Sequence, residues 1–199
     1  MSVKFNLAYR FGVTPWDKAG AGKDEAFQRL LDREEQERER PLGRALDLGC
    51  GTGEYTRQLE KRGWHAVGID NIRLAVDIAE RRSGPESRYV IGDVTHLKGS
   101  GVGTHFSFFL DVGCFNNLQD DDRLALGEGV TALANPGATM LLLCTAPHPT
   151  VLHPPGAGRD AVETALPAWR VVAADPADGA GLPHWLRRNS PTWYRLALS

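Results

Sequence analysis

The sequence lacks long apolar runs and a strong excess of charge of either sign. No apolar stretch approaches the roughly 20 residues that cross a bilayer, and the first residues carry no basic region followed by an apolar one. The net charge of -2 gives no general attraction to nucleic acid or to anionic lipid. We therefore expect a cytoplasmic protein with no nucleic-acid partner and no membrane partner.

Cysteine is also scarce, and the 3 cysteines have neither paired nor metal-binding spacing. Cys50, Cys114 and Cys144 each lie beside an apolar stretch, as reduced thiols do in intracellular proteins. The histidines and acids do not cluster at ligand spacing either. The sequence predicts no structural disulfide and no metal site.

The 199 residues are enough for one domain with a sizeable core. Near the start, the charged run Asp32–Arg40 predicts the solvated face of a helix, with an apolar stripe beginning at Phe27. Pairs four residues apart, such as Glu34 with Arg38, would help to hold this helix, and Pro41 would end it. This part of the chain carries no chemical motif.

From Arg44 onward, short apolar runs alternate with amphipathic segments, which predicts βαβ units and a parallel sheet. The predicted strands are Ala45–Leu48, Ala66–Ile69, Tyr89–Ile91, Phe106–Leu110 and Thr139–Cys144. The predicted helices are Tyr55–Arg62, Leu74–Arg82 and Arg123–Leu133. The residues Asn135–Gly137 predict a turn before the fifth strand. Later strands near Trp169–Ala173 and Trp193–Leu198 could pair antiparallel at one sheet edge.

The stretch "ALDLGCGTGEYT" runs from an apolar strand through three glycines into a helix. Gly49, Gly51 and Gly53 would let a ligand approach backbone N–H groups without meeting a Cβ atom. A dinucleotide fingerprint would need a glycine where Glu54 stands, and a carboxylate there would repel a pyrophosphate. Asp47, just before the turn, could interact with a cationic amino group, so the pattern favours an amine-bearing nucleoside over NAD.

Acidic residues follow the next three strands as well, at Asp70, Asp93 and Asp111. In a parallel sheet these acids share the carboxyl edge, where open α/β folds bind ligands. Asp70 lies about 20 residues beyond the glycines, where an acid can accept hydrogen bonds from both hydroxyls of a ribose. Each acid alone could be a helix cap or a turn residue, but the ordered set predicts a nucleoside site.

This ordered set, in "ALDLGCGTGEYT", "VGIDNI" and "VIGDVTHL", resembles the class I S-adenosylmethionine-dependent methyltransferases. The segments "YRFGVTPWD" and "LDVGCFNNL" look like the small-molecule methyltransferases related to thiopurine and tellurite-resistance enzymes. The resemblance implies a single-domain α/β, Rossmann-like fold, with helices on both faces of a seven-stranded sheet of order 3-2-1-4-5-7-6. It also implies an amino-terminal lid segment and helix over residues 1–43, and a cofactor-binding core over residues 44–199.

The resemblance further implies S-adenosylmethionine as cofactor, S-adenosylhomocysteine as product and a set of cofactor-binding residues. The methionine moiety would be held by Asp47, Gly49, Gly51 and Gly53. The nucleoside would be held by Asp70, Asn71, Ile72, Asp93 and Val94. The sulfonium and amino end would lie near Asp111 and Val112, and Trp16 and Cys50 complete the predicted set.

The methyl acceptor implied is a small molecule that offers an S, N or O atom. Related enzymes often carry D-x-G-x-F-H-x-L after the fourth strand, whereas here Phe115 is followed by Asn116 and Asn117. An amide can orient an acceptor but cannot take its proton near neutral pH. We predict that Asn116 or Asn117 orients the acceptor, and that Phe115 packs against it.

Other residues complete this hypothesis for the acceptor side. Phe11 and Trp16 would extend the apolar wall, and His148 and His153 are the remaining candidates for a general base. Alternatives stay open: a cofactor-binding sensor or scaffold without turnover, a nicotinamide-dependent oxidoreductase, and a nucleic-acid methyltransferase. The sequence lacks the N-P-P-Y type of motif that would favour the last of these. It says nothing about oligomeric state.

Overall fold

The computed structural model describes residues 10, 25–36, 38–85, 87–147, 156–177 and 190–199. The strands within these ranges are β1 (Arg44–Leu48), β2 (His65–Asp70), β3 (Arg88–Ile91), β4 (Phe106–Val112), β5 (Ala134–Cys144), β6 (Trp169–Pro176) and β7 (Thr192–Leu198). They form one seven-stranded sheet in the order β3-β2-β1-β4-β5-β7-β6. This confirms the order predicted from the resemblance.

The longer helices are α1 (Glu25–Gln36), α2 (Glu54–Lys61), α3 (Arg73–Arg82), α4 (Asp120–Leu133) and α5 (Arg159–Ala165). Two 3-10 turns, Val94–His96 and Phe115–Asn117, follow β3 and β4. None of the helices in the described ranges is long and apolar enough to cross a membrane. Each parallel strand is thus followed by a helix or a 3-10 turn, as the alternating pattern predicts.

The sheet separates two apolar layers. One contains Leu59 of α2, Leu31 of α1 and Trp193 of β7. The other packs α4 and α5 against the opposite face, through residues such as Leu126 and Val162. β1 to β5 run parallel, and β7 lies antiparallel between β5 and β6. The predicted late antiparallel pair is therefore confirmed.

The charged helix near the start differs from the prediction in two ways. α1 ends at Gln36 rather than at Pro41. Glu34 does not face solvent, since it is only 1% exposed. Its carboxylate accepts hydrogen bonds from Arg38 at 2.6 Å and from Arg195 of β7 at 2.8 Å, and it also bonds the Thr139 hydroxyl of β5. The predicted pair of Glu34 with Arg38 exists, but it fastens the helix to the sheet.

The predicted turn at Asn135–Gly137 lies inside β5, which begins at Ala134. Phe106 of β4 pairs with Ala134 and Phe108 pairs with Thr139, so two steps along β4 correspond to five along β5. The turn residues therefore form a bulge, and Gly137 takes a φ of 72° within it. Turn-forming residues that fall within a pair of strands can be fitted in this way, as a bulge that interrupts the regular pairing.

Candidate functional site

The loops that follow β1, β2 and β4 meet at the carboxyl edge of the sheet. Leu48, the last residue of β1, pairs with Ile69 of β2 on one side and with Asp111 of β4 on the other. The backbone N–H groups of Gly49 and Cys50 both donate to the carbonyl of Ile69, at 2.9 and 3.0 Å. The glycine turn is thus fixed against β2, beside two of the predicted acidic positions.

The three glycines of the turn all adopt a left-handed backbone, with φ values of 69°, 53° and 73° at Gly49, Gly51 and Gly53. At two of these positions, a neighbouring side chain also leaves no room for a Cβ atom. A Cβ atom on Gly49 would lie 2.7 Å from the Cβ atom of Cys114, and one on Gly53 would lie 2.8 Å from the Cε1 atom of Tyr89. The absent side chains therefore make room for Cys114 and Tyr89.

Asp70 connects the glycine turn to the segment after β2. Its carboxylate accepts the backbone N–H of Gly51 at 2.9 Å and that of Ile72 at 2.8 Å, one on each oxygen. Each carboxylate oxygen has a further lone pair for a hydroxyl donor. Burial raises the pKa of the Asp70 carboxyl, and the backbone N–H groups partly offset that effect.

Asp47 is buried within β1, where the Thr56 hydroxyl of α2 donates to it at 2.6 Å. Burial raises the pKa of Asp47 to about 7, and the negative charge of Asp70 adds to the rise. Removing a carboxylate from water disfavours its charged form, which is the cause of this shift. Asp47 therefore titrates near neutral pH.

Asp111 is fully buried near the end of β4. It accepts the backbone N–H of Cys114 at 2.8 Å and that of Phe115 at 3.0 Å, which shapes the turn after the strand. Burial raises the pKa of Asp111 to about 7 as well. Within the described ranges, neither Asp111 nor Asp47 is in an ion pair with a basic side chain.

The other predicted cofactor residues lie near this edge with different exposures. Asn71 and Asp93 are exposed, Val112 is half-buried, and Cys50, Ile72 and Val94 are buried. Asp93 caps the 3-10 turn after β3 by accepting the Thr95 backbone N–H at 2.9 Å. Burial raises the pKa of the Cys50 thiol well above its ordinary value, so this thiol stays protonated. The structure brings all of these residues to one edge, and their roles stay predictions.

The predicted acceptor residues occupy the 3-10 turn after β4. The Asn116 side chain donates from Nδ2 to the Leu143 carbonyl at 3.3 Å and accepts the Thr145 N–H at 3.2 Å. It therefore pairs with the end of β5 as a peptide group of a neighbouring strand would. Asn117 donates from Nδ2 to the Gly113 carbonyl at 2.7 Å. Asn116 keeps one proton and one lone pair for a ligand, whereas Asn117 keeps one proton and its Oδ1 acceptor.

Phe115 and Arg123 form a buried unit that joins two loops. The Phe115 ring is fully buried, and the Arg123 guanidinium lies 5.1 Å from its centroid. Arg123 donates to the Phe115 carbonyl at 3.3 Å and to the Gly156 carbonyl at 2.6 Å. The sequence predicts a helix that starts at Arg123, and its pattern does not predict this contact. In the sequence Arg123 is only a basic residue after three consecutive acids, which gives no signal of the contact.

Four residues of the sequence hypothesis lie outside the described ranges: Phe11, Trp16, His148 and His153. Among the described residues, no cluster of three or more histidine, cysteine or acidic side chains could hold a metal ion. The described cysteines, Cys50 among them, are free thiols.

The electrostatics of the edge favour a cationic ligand. Two carboxyl groups with pKa values of about 7, Asp47 and Asp111, lie on neighbouring strands beside the glycine turn. A positive ligand charge nearby would favour the ionised form of both acids, whereas a phosphate would be repelled by it. Asp70, one strand further along, offers acceptors for hydroxyl groups. The arrangement suits a hydroxylated, positively charged ligand.

Comparison with known proteins agrees with this geometry. Residues 45–137 match the family described as "Methyltransferase domain". The trans-aconitate 2-methyltransferase of Deinococcus radiodurans is 41% identical over 88 residues, which are 43% of this chain and 32% of the relative. The cypemycin N-terminal methyltransferase of a Streptomyces species is 30% identical over 153 residues, 71% of this chain and 58% of the relative. The chain thus spans about a third of the length of the first relative and 58% of the length of the second.

A solved structure shows a similar fold over nearly the whole chain. The TehB-like SAM-dependent methyltransferase of Corynebacterium glutamicum superimposes with a TM-score of 0.71 and is 19% identical. The match covers 97% of this chain and 99% of that chain. At this level of identity the likeness concerns the fold alone.

Proposed function

We propose that this chain is a class I S-adenosylmethionine-dependent methyltransferase that methylates an S, N or O atom of a small aromatic or thiol-bearing molecule. Its cofactor is S-adenosylmethionine, which supplies an electrophilic methyl group on a sulfonium, and S-adenosylhomocysteine is the product. The observation that carries the proposal is the pair of buried acids, Asp47 and Asp111, that flank the glycine turn without a basic partner in the described ranges.

The described residues fit this cofactor. The free lone pairs of Asp70 can accept the two ribose hydroxyls while its other lone pairs hold Gly51 and Ile72. Val94, on the 3-10 turn after β3, and Ile72 are apolar and can pack against an adenine. Asp47 and Asp111 supply negative charge where the amino and sulfonium groups would lie. We propose these roles for the residues that the sequence predicts.

The chain's own contribution to the reaction is alignment and exclusion of water. Methyl transfer from a sulfonium neutralises charge, so an approach distance of about 3 to 3.5 Å and a dry site are the main demands. The buried Phe115–Arg123 unit fixes the turn that carries Asn116 and Asn117. We propose that the second proton or lone pair of one of these amides orients the acceptor, with Phe115 as support below it.

We also propose the setting in which this reaction occurs. The free thiols of the described cysteines, among them Cys50 and Cys114, are consistent with a cytoplasmic protein. Residues 1–43 would form the lid segment and helix over a core of residues 44–199, and Trp16 would close over the cofactor. The partner of the chain is then its small-molecule acceptor, with no role for nucleic acid or a membrane.

The proposal is tested by binding and turnover measured on the same preparation. Calorimetry with S-adenosylmethionine, S-adenosylhomocysteine and NAD should show binding of the first two only. A panel of thiols, phenols and N-heterocycles should then yield S-adenosylhomocysteine with at least one member. Binding without product from any member would favour the sensor or scaffold, which the backbone-bonded amide of Asn116 already makes conceivable. Binding of neither methyl donor nor product would refute both.

A further inference from the structure

A row of side chains runs across the sheet from the end of β4, which lies beside the glycine turn, through β5 to β7. Val112 of β4 pairs with Leu143 of β5, and Leu143 pairs with Trp193 of β7. All three contribute to the apolar layer that also contains α1 and α2. Neighbouring strands lie about 4.8 Å apart, so Trp193 is displaced about 10 Å from Val112 across the sheet. That span is the size of one small aromatic molecule.

Near this row, two buried polar atoms have no hydrogen-bond partner among the residues that the structure describes. The Thr145 hydroxyl and the Trp193 indole Nε1 are both without a partner, and both residues are 1% exposed. The backbone of Thr145 is fully used, because its N–H donates to Asn116 and its carbonyl accepts from Ala157 at 2.8 Å. Buried polar atoms are almost always paired. Each of these two atoms therefore has a hydrogen bond to offer that no described residue takes up.

The two atoms belong to the same region of the fold. Thr145 follows β5 directly and stands two positions after Leu143, so the alternation of the strand places it on the same face as Leu143. Since Leu143 is opposite Trp193, Thr145 is the diagonal neighbour of Trp193, at a typical Cα separation of about 7 to 8 Å. Both residues lie at the carboxyl edge, on the β5 and β7 side of Asp111.

We propose that Thr145 and Trp193 form the polar end of the methyl-acceptor pocket and donate hydrogen bonds to an oxygen or nitrogen lone pair of the acceptor. This inference rests on the proposed function and adds a substrate class to it. An indole N–H can only donate and a hydroxyl can donate as well, so the group recognised is a hydrogen-bond acceptor such as a carbonyl oxygen. Because the row from Val112 to Trp193 spans about 10 Å, the preferred acceptors carry this carbonyl group at the end of the molecule remote from the nucleophilic atom.

The chain offers a matched control on the opposite face of the sheet. Trp169 donates from Nε1 to the Thr131 hydroxyl at 2.9 Å, and that hydroxyl donates to the Gly127 carbonyl at 2.7 Å. The variants Thr145→Val and Trp193→Phe remove unpaired groups, whereas Thr131→Val and Trp169→Phe remove the same groups where they are paired. Each pair of variants loses the same atoms.

Three quantities are measured on all four variants and the wild type. These are Tm, the Kd for S-adenosylhomocysteine, and kcat/KM for matched acceptors, namely benzenethiol against 4-mercaptobenzamide and phenol against 4-hydroxybenzamide. The wild type should prefer the amide-bearing member of a pair about tenfold, because a site built to bond a polar group rejects the analogue that lacks it. A tenfold preference corresponds to about 1.4 kcal/mol.

Thr145→Val should keep or raise Tm, since it removes an unsatisfied buried group. It should leave the Kd for S-adenosylhomocysteine within about twofold and abolish the amide preference. Trp193→Phe should abolish the preference too and lose no more Tm than Trp169→Phe. Thr131→Val should lower Tm and keep the preference.

Two results would overturn the inference while leaving the proposed function intact. One is a fall in Tm for Thr145→Val as large as that for Thr131→Val, which would show an internal partner. The other is an amide preference unchanged in both Thr145→Val and Trp193→Phe. A wild type that produces no S-adenosylhomocysteine from any acceptor would instead remove the proposed function, and this inference with it.

Discussion

Asp111→Asn should change how the free energy of unfolding depends on pH. The folded protein holds the Asp111 proton more tightly than the unfolded chain, because burial raises its pKa from 3.8 to about 7. Its stabilising contribution is complete below pH 3.8 and is lost as the pH rises through about 7. About three pH units at about 1.4 kcal/mol each give a loss of about 4 kcal/mol.

The amide of asparagine resembles the protonated acid and cannot ionise, so the variant escapes this loss. Its Oδ1 atom can still accept the Cys114 N–H, which Asp111 accepts at 2.8 Å. Relative to the wild type, the variant should gain stability steadily between pH 4 and pH 7.5, by up to about 4 kcal/mol. Urea unfolding at half-unit steps of pH measures this difference, and Asp121→Asn, at an exposed acid of α4, serves as the control.

A wild-type-minus-variant difference that stays constant within about 1 kcal/mol across this range would refute the reasoning. The cofactor supplies a second form of the same experiment. Binding of the cationic S-adenosylmethionine should strengthen from pH 5 to pH 8 more than binding of S-adenosylhomocysteine, which lacks the sulfonium charge. Because Asp47 also has a pKa of about 7 and lies on the adjacent strand, Asp111→Asn should reduce this contrast without removing it.

Three further predictions concern the fold and the turn. Glu34→Gln should lower the free energy of unfolding by about 3 to 5 kcal/mol, because it removes the buried carboxylate that two half-buried arginines share, whereas Glu25→Gln on the surface of α1 should leave urea denaturation unchanged. Gly53→Ala should destabilise the protein more than Gly137→Ala in thermal melts, since both have a positive φ but only the first Cβ meets another side chain. Asp70→Asn should weaken S-adenosylhomocysteine binding at least tenfold in calorimetry, and an unchanged Kd would remove its proposed ribose contact.

The sheet and its carboxyl edge could be predicted from the sequence because both depend on local patterns. Apolar runs that end in acids locate the strand ends at Asp70 and Asp111, and parallel pairing then brings those ends together. The glycines of the turn were located in the same way. The second reason why these positions must be glycine is not predictable from the sequence. Cys114 and Tyr89 pack against Gly49 and Gly53, and these contacts join segments far apart in sequence.

Long-range charge pairing was the largest gap in the sequence prediction. Glu34 sits in a run of charges that is typical of a solvated helix, yet its partners include Arg195, 161 residues away. The contacts of Arg123 are equally unpredictable from the sequence, because it donates to the backbone carbonyls of Phe115 and Gly156, which every residue type has. Contacts of this kind depend on the finished fold rather than on any local pattern.

The placement of β7 between β5 and β6 affects the order in which the protein can assemble on the ribosome. β5 and β6 leave the ribosome first, and β6 pairs only with β7 within the described sheet. Until residues 192–198 emerge, β5 therefore has an open edge and β6 has no neighbour. The half of the sheet that carries Thr145 and Trp193 closes only when β7 joins it. A nascent chain stalled before that point presents one open edge on β5 and two on β6 to aggregation and to chaperones.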